Sequence, residues 1–214
     1  MTHAYQLHEF FLSEVPDLTN TVVLGCGCGH GVWGYLVRSE KNANKAYLVG
    51  FDLHKPHTKY CKWHRVYDDM VLADAKHLPF RRKSFDVVMA AELVEHMEIE
   101  DGQIFLDTID ELCREVAIVS TPNGAAPAGH LVNESRLERH RSAWGVSDFS
   151  RRQYKVRGVG LKFSSIFHNN QRRDGFSYIF GFFRYVFTPL TYIFPRISWI
   201  LIATKKFAAG KIEY

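Results

Sequence analysis

Apolar residues in this chain fall into short, near-continuous runs set between polar breaks and stretches of helical periodicity. The first run, Val22-Val23-Leu24, leads straight into glycines at 25, 27, 29 and 31. Val32, Tyr35 and Leu36 then share one side of a helix predicted over about 30–39. AYLVGFDL reads as a second strand ending in Asp52, and PHTKYCKWH as a helix with Pro56 in its first turn. DMVLADAKHLPF holds a strand ending near Asp74. SFDVVMAAELVEHM predicts a strand over about 85–90 that passes into a helix. IFLDTIDELCREV predicts a helix with Ile104, Phe105, Ile109 and Leu112 on one face. VAIVSTPN, YKVRGVGLKF and WILIATKK predict three more strands. At the start, Tyr5, Leu7, Phe10 and Phe11 predict a short amphipathic helix over one edge of the domain. Apolar strands alternating with helices imply a parallel sheet buried on both faces. Such sheets bind ligands at the carboxyl ends of their strands, where strand order reverses. Asp52, Asp74 and Glu92 stand at or just past such ends.

Composition narrows the class without naming a partner. At 214 residues the chain is expected to form a single domain over 1–214, with a substantial core. Hydrophobic content of 46% with 23% charged residues is ordinary for a globular domain. A net charge of +4 admits an anionic partner but does not require one. No stretch reads as a signal peptide, and the four cysteines lack the spacing of a disulfide framework. Reduced thiols and a cytoplasmic location are therefore expected. Cys26, Cys28 and His30 have C-x-C-x-H spacing, which suits a metal clip. Side chains of a loop wrapped around a ligand pack inward, however, so they are expected as packing residues.

A buried strand, a glycine-rich turn and a helix start together make a nucleotide cradle. Glycine lets the backbone approach the ligand, and the free N–H groups of a helix start favour polar or anionic oxygens. The dinucleotide fingerprint G-x-G-x-x-G fails in two of its three registers, which would need glycine at His30 or Val32. The third, Gly29-x-Gly31-x-x-Gly34, lies inside the helix. GCGCG, VGFD, LADAKHLPF and FDVVMAAELVEH instead follow one another in order at workable spacing. In these four motifs, over nearly its whole length, the chain resembles the class I S-adenosylmethionine (SAM) dependent methyltransferases. The resemblance implies an α/β, Rossmann-like, seven-stranded and mostly parallel sheet with helices on both faces. It also implies SAM as cofactor: Gly25, Gly27 and Gly29 against the methionine and ribose, Asp52 on the ribose hydroxyls, and Asp74 with the Ala75 amide on the adenine edge. Leu53 and Leu78 would sandwich the ring. Asp52 and Asp74 each also suit a helix N-cap when taken alone. The family usually carries an acidic residue where this chain has Val23, so one support of the loop is missing.

SAM arrives with an activated methyl, so the protein must align an acceptor, exclude water and, for a hydroxyl, take a proton. Glu92, Glu95 and His96 stand at i, i+3 and i+4, and on a helix they would share one face. The E-x-x-E-H pattern resembles ubiquinone-type O-methyltransferases and small-RNA 2′-O-methyltransferases; in the latter a further His, after the fifth strand, precedes a Trp by four residues. His140 and Trp144 match that spacing. The resemblance offers Glu92, Glu95, His96 and His140 as ligands of a divalent cation (Mg, Mn or Zn). The metal-free alternative keeps His96 or His140 as general base, with Glu92 beside the cofactor.

The acceptor class rests on the C-terminal third. Ten aromatics crowd the 24 positions from Phe176 to Trp199, and Pro189 and Pro195 break any long helix there. The longest uncharged stretch, Tyr185 to Pro195, is too short to span a bilayer. Residues 171–197 are expected as a helical cover, or as an apolar lid or peripheral membrane patch with Arg184 and Arg196 reaching phosphates. A small lipophilic or aromatic acceptor, methylated on oxygen, is the leading expectation. RNA is the runner-up, through Arg136, Arg139, Arg141, Arg151, Arg152, Lys155 and Arg157, diluted by Glu134, Glu138 and Asp148. A non-catalytic SAM-binding protein is the third reading.

Overall fold

The computed structural model describes residues 5–41, 43–124, 139–162 and 186–208. Seven strands are β1 (Val22–Cys26), β2 (Tyr47–Asp52), β3 (Asp69–Leu72), β4 (Phe85–Ala91), β5 (Cys113–Pro122), β6 (Lys155–Leu161) and β7 (Ser198–Lys206). They join one sheet in the order β3-β2-β1-β4-β5-β7-β6. The first five run parallel, and β7 lies antiparallel between β5 and β6.

Alternation along the strands feeds two cores. Leu24 and Cys26 face Phe105, Leu106 and Ile109 of α4 (Ile99–Leu112), together with Phe149 of α5 (Val146–Ser150). Val23 faces the other way, into a core shared with three helices. These are α1 (Tyr5–Glu14) through Leu7 and Phe11, α2 (Val32–Glu40) through Val37, and α3 (Lys55–Trp63) through Cys61. Both faces are therefore covered, which is why the parallel strands read as unbroken apolar runs. The position where the family usually carries an acid is thus core, with Val23 fully buried. The nearby Val22 N–H donates to Asp86 Oδ2 at 2.7 Å, on the neighbouring strand. Cys26 and Cys28 point into opposite cores, as packing residues do, and all four cysteines are unpaired.

Three local expectations are corrected. The chain does not enter an α-helix after β4. Glu92 adopts φ +51°, its N–H donates to Ser120 O on β5 at 2.9 Å, and only a 3-10 turn, Val94–His96, follows. The bond to β5 draws the backbone across the sheet instead of letting it coil. Ile104 is 55% exposed although Phe105, Ile109 and Leu112 are buried, because it sits a full residue step around the helix from Phe105. Finally, β3 ends at Leu72, two residues short of Asp74.

The last described helix, α6 (Thr188–Ile193), lies beside β6, where Thr191 Oγ1 donates to Gly158 O. The turn after it is fixed to the carboxyl end of β5. Asn123 Nδ2 donates to the carbonyls of Pro195, Arg196 and Ser198 at 3.0, 3.2 and 2.8 Å. Residues 171–185 of the expected aromatic cover, with Arg184, lie outside the described residues, as does the Tyr5 side chain. Among the described residues, no helix is long and apolar enough to cross a membrane.

Candidate active site

Strand order reverses between β1 and β4, so the loops that follow them part at the carboxyl ends and leave a crevice. The loop after β1 is the glycine run. Gly29 has φ +51°, a conformation that costs an L-residue about 1–2 kcal/mol, and a Cβ placed there would meet nothing within 4 Å. Gly25 is glycine for a different reason: a Cβ would lie 2.8 Å from the Tyr67 ring and hydroxyl, which pack under the loop.

Asp52, at the end of β2, ties this loop down. Its Oδ2 accepts the Gly29 N–H at 2.8 Å and its Oδ1 accepts the His54 N–H at 2.7 Å. A carboxylate has about four acceptor positions, so two remain for a ligand. His57 Nδ1 stands 3.4 Å from Oδ2, and Cys61 Sγ donates to Gly29 O at 3.4 Å. Leu53 follows Asp52 and is 51% exposed. Beyond β3, Asp74 is half-buried and its Oδ1 accepts the Lys76 N–H at 3.0 Å, closing a turn. Ala75 is buried and Leu78 half-buried beside it.

The loop after β4 brings the acidic residues to the other side of the crevice. Leu93 reaches the glycine loop, its Cδ1 lying 2.7 Å from where a Gly27 Cβ would stand. Ser120 Oγ donates to Glu92 Oε1 at 3.2 Å, and Thr121 Oγ1 donates to Glu95 Oε2 at 2.9 Å. Glu95 is buried, and its Oε1 has no hydrogen-bond partner among the described residues. Burial lifts the Glu92 carboxyl from the usual 4.5 to about 7, against the opposing hydrogen bond from Ser120. Burial, then the adjacent Glu92 charge, pushes Glu95 well above the usual carboxylate range.

His140 arrives from a distant segment. Arg141 and Ser142 N–H groups both donate to Glu95 O, at 2.7 and 3.2 Å, docking residues 139–144 on the 3-10 turn. The buried Trp144 anchors that segment, donating from Nε1 to Ser142 Oγ at 2.9 Å. The His96 and His140 rings come to 4.9 Å between centroids. Donor atoms of Glu95, His96 and His140 lie within 4.8 Å of one another, and Glu92 is not in that group. Ser120, Thr121, Tyr67, His57 and Leu93 were not singled out from the sequence. A polar Ser-Thr pair closing the apolar run of β5 was the available signal for the first two.

A family model described as a methyltransferase domain matches residues 24–126. Phthiotriol/phenolphthiotriol dimycocerosates methyltransferases of Mycobacterium tuberculosis and Mycobacterium bovis are 42% identical over 156 residues, 67% of this chain and 52% of theirs. The chain thus spans about half the length of these relatives. A SAM-dependent methyltransferase from Mesorhizobium loti superposes with a TM-score of 0.61 at 14% identity, over 95% of this chain and 99% of that one. The chain belongs to the class I SAM-dependent methyltransferase family. Within this methyltransferase family, identity below 25% speaks for fold alone. The cyclase SpnF superposes equally well, with a TM-score of 0.61 at 12% identity, over 95% of this chain and 81% of that one. The reaction must therefore be argued from the crevice.

Proposed function

We propose that this chain is a SAM-dependent methyltransferase that acts on a hydroxyl of a small lipophilic acceptor. The observation that carries the reading is the meeting of the two loops, glycine run and Glu92–His96, on one crevice at the switch point. Bound SAM would supply the methyl on its sulfonium. Gly25, Gly27 and Gly29 hold the loop that lies along it. Asp52 offers its two remaining acceptor positions to the ribose hydroxyls. Leu53, Asp74 and Ala75 border the adenine end. Glu92, with its carboxyl near 7, takes the acceptor hydroxyl proton as the oxygen gains the methyl.

Glu95, His96 and His140 would hold a divalent cation, whose chemistry there is to lower the pKa of an acceptor oxygen. The fit is supported by the donor spacing and by the unpartnered, buried Glu95 Oε1. Activity lost in chelator and regained with Mg²⁺, Mn²⁺ or Zn²⁺ is expected. Full activity in chelator removes the cation and leaves the proton transfer to Glu92 alone.

The lipophilic acceptor is supported by the rim. Leu190, Ile193, Phe194 and Ile197 are 42, 70, 56 and 41% exposed, and Asn123 pins their turn beside the crevice. The mycobacterial relatives, by name, act on a lipid. For RNA, three of the seven basic residues are spent within the protein, while Arg139, Arg151 and Lys155 stay exposed without a carboxylate partner among the described residues. Arg141 pairs with Glu98, Arg152 with Asp107, and Arg157 with Glu14, while Arg136 lies outside the described residues. Calorimetric titration with SAM and its demethylated product, followed by labelled methyl transfer in a cell extract, tests the whole reading. Label in the organic phase is expected. Label in RNA overturns the acceptor, and SAM binding without label leaves a non-catalytic binder.

A further inference from the structure

The outer face of α3 is not used by any part of this reading. From Leu53 to Tyr67 the chain has no acidic residue but carries Lys55, Lys59, Lys62 and Arg65. All four are exposed, and none is ion-paired among the described residues. Elsewhere among the described residues eight lysines and arginines are paired with carboxylates, Arg38 of the adjacent α2 with Asp68 among them. The positive face of α3 is therefore left without internal neutralisation.

Its geometry is that of an anchor. Thr58 and Cys61 are the buried side of the helix. At about 100° per residue, Lys59 and Trp63 stand opposite them, with Lys55 and Lys62 on one flank and Tyr60 on the other. Trp63 is 85% exposed and Tyr60 43%. An indole held that far into water adds almost nothing to the core. Its amphipathic ring suits the headgroup layer of a bilayer, where neighbouring lysines reach phosphates with their stems along the apolar boundary.

We propose that the outer face of α3 docks on an anionic lipid surface, with Trp63 at headgroup depth and Lys55, Lys59, Lys62 and Arg65 against lipid phosphates. A single-stranded nucleic acid would instead need a groove lined by stacking aromatics, whereas this face is convex with one indole at its crest. The docking stands on α3 alone and survives failure of the methyl-transfer reading, because its test contains no cofactor and no acceptor.

The test is flotation of the whole chain with vesicles of equimolar phosphatidylcholine and phosphatidylglycerol, against phosphatidylcholine alone. Binding to the anionic vesicles only, weakening with salt, with a blue shift of tryptophan emission, is expected. Each cation near such a surface is worth roughly fivefold in affinity. Lys59→Glu with Lys62→Glu should therefore weaken binding by about 25-fold or more, with unchanged thermal unfolding. Trp63→Phe should abolish the blue shift. Ile193→Ser with Phe194→Ser, on the rim, should leave flotation intact. Absence of flotation, flotation indifferent to the charge reversals, loss only with the rim variant, or preference for an RNA homopolymer over the vesicles would each overturn the proposal.

Discussion

The two sides of the crevice each carry carboxylates at strand ends, and they hold them in opposite ways. On the β1–β2 side, Asp52 receives backbone N–H groups from Gly29 and His54, at 2.8 and 2.7 Å. On the β4–β5 side, Glu92 receives one hydroxyl at 3.2 Å and Glu95 one at 2.9 Å, with a buried oxygen of Glu95 left over. Backbone donors fix an anion in place as a hydrogen-bond acceptor for a ligand. Burial with few donors keeps a proton close, and so makes a carboxyl that exchanges one near neutral pH. On the proposed mechanism the same functional group would serve as clamp or base according to how many N–H groups surround it.

Removing the charge on each side separates the two roles. Glu92→Gln keeps the shape and removes the proton acceptor, so kcat should fall by about 100-fold or more while SAM affinity moves little. Steady-state kinetics with saturating SAM measures this, and a matching loss in SAM affinity would erase the distinction. Asp52→Ala should do the reverse. It removes two charge-assisted hydrogen bonds to the ligand and frees the loop, for a loss of about 100-fold in calorimetric SAM affinity.

How much of each side was legible follows from the range of the forces that build it. The glycine run, the end of β2 at Asp52 and the apolar alternation into two cores are local, written in glycine chemistry and strand period. The β4–β5 side is not local. The expected helix through Glu92, Glu95 and His96 gives way to a 3-10 turn because the Glu92 N–H finds Ser120 O on the neighbouring strand. His140 meets His96 only through the docking of Arg141 and Ser142 on Glu95 O. Neither contact has a periodicity to announce it. The spacing of His140 and Trp144 pointed to the outcome without explaining it, and the buried Trp144 supplies the reason. Ile104 shows the same limit at smaller scale, since four apolar residues in a helix do not say which one ends up facing water.

Stability against pH sharpens the contrast on the acidic side. Below about 4.5 the Glu92 carboxyl is protonated in both the folded and unfolded chain, and no penalty applies. As pH rises toward about 7 the unfolded chain ionises first, so the folded state loses ground, and above that the loss is constant. Thermal unfolding should show stability falling through this window by about 3 kcal/mol, with Glu95 adding in the same direction. Glu92→Gln should flatten the slope. A curve that rises with pH across this window would mean that the pair sits in a wetter place than the hydrogen bonds describe.

The smallest effect belongs to Leu53, on the clamp side. At 51% exposed it adds little to the fold, so Leu53→Ala should leave the unfolding temperature nearly unchanged. On the proposed cofactor placement, an adenine would cover its remaining apolar surface. At about 25 cal/mol per Å² that is worth about 1 kcal/mol, or roughly fivefold in SAM affinity. Titration of SAM against methylthioadenosine isolates this contribution, because both carry the adenine and only SAM carries the amino-acid tail. An equal loss for the two ligands places Leu53 at the ring, whereas a loss confined to SAM would move the adenine away from the end of β2.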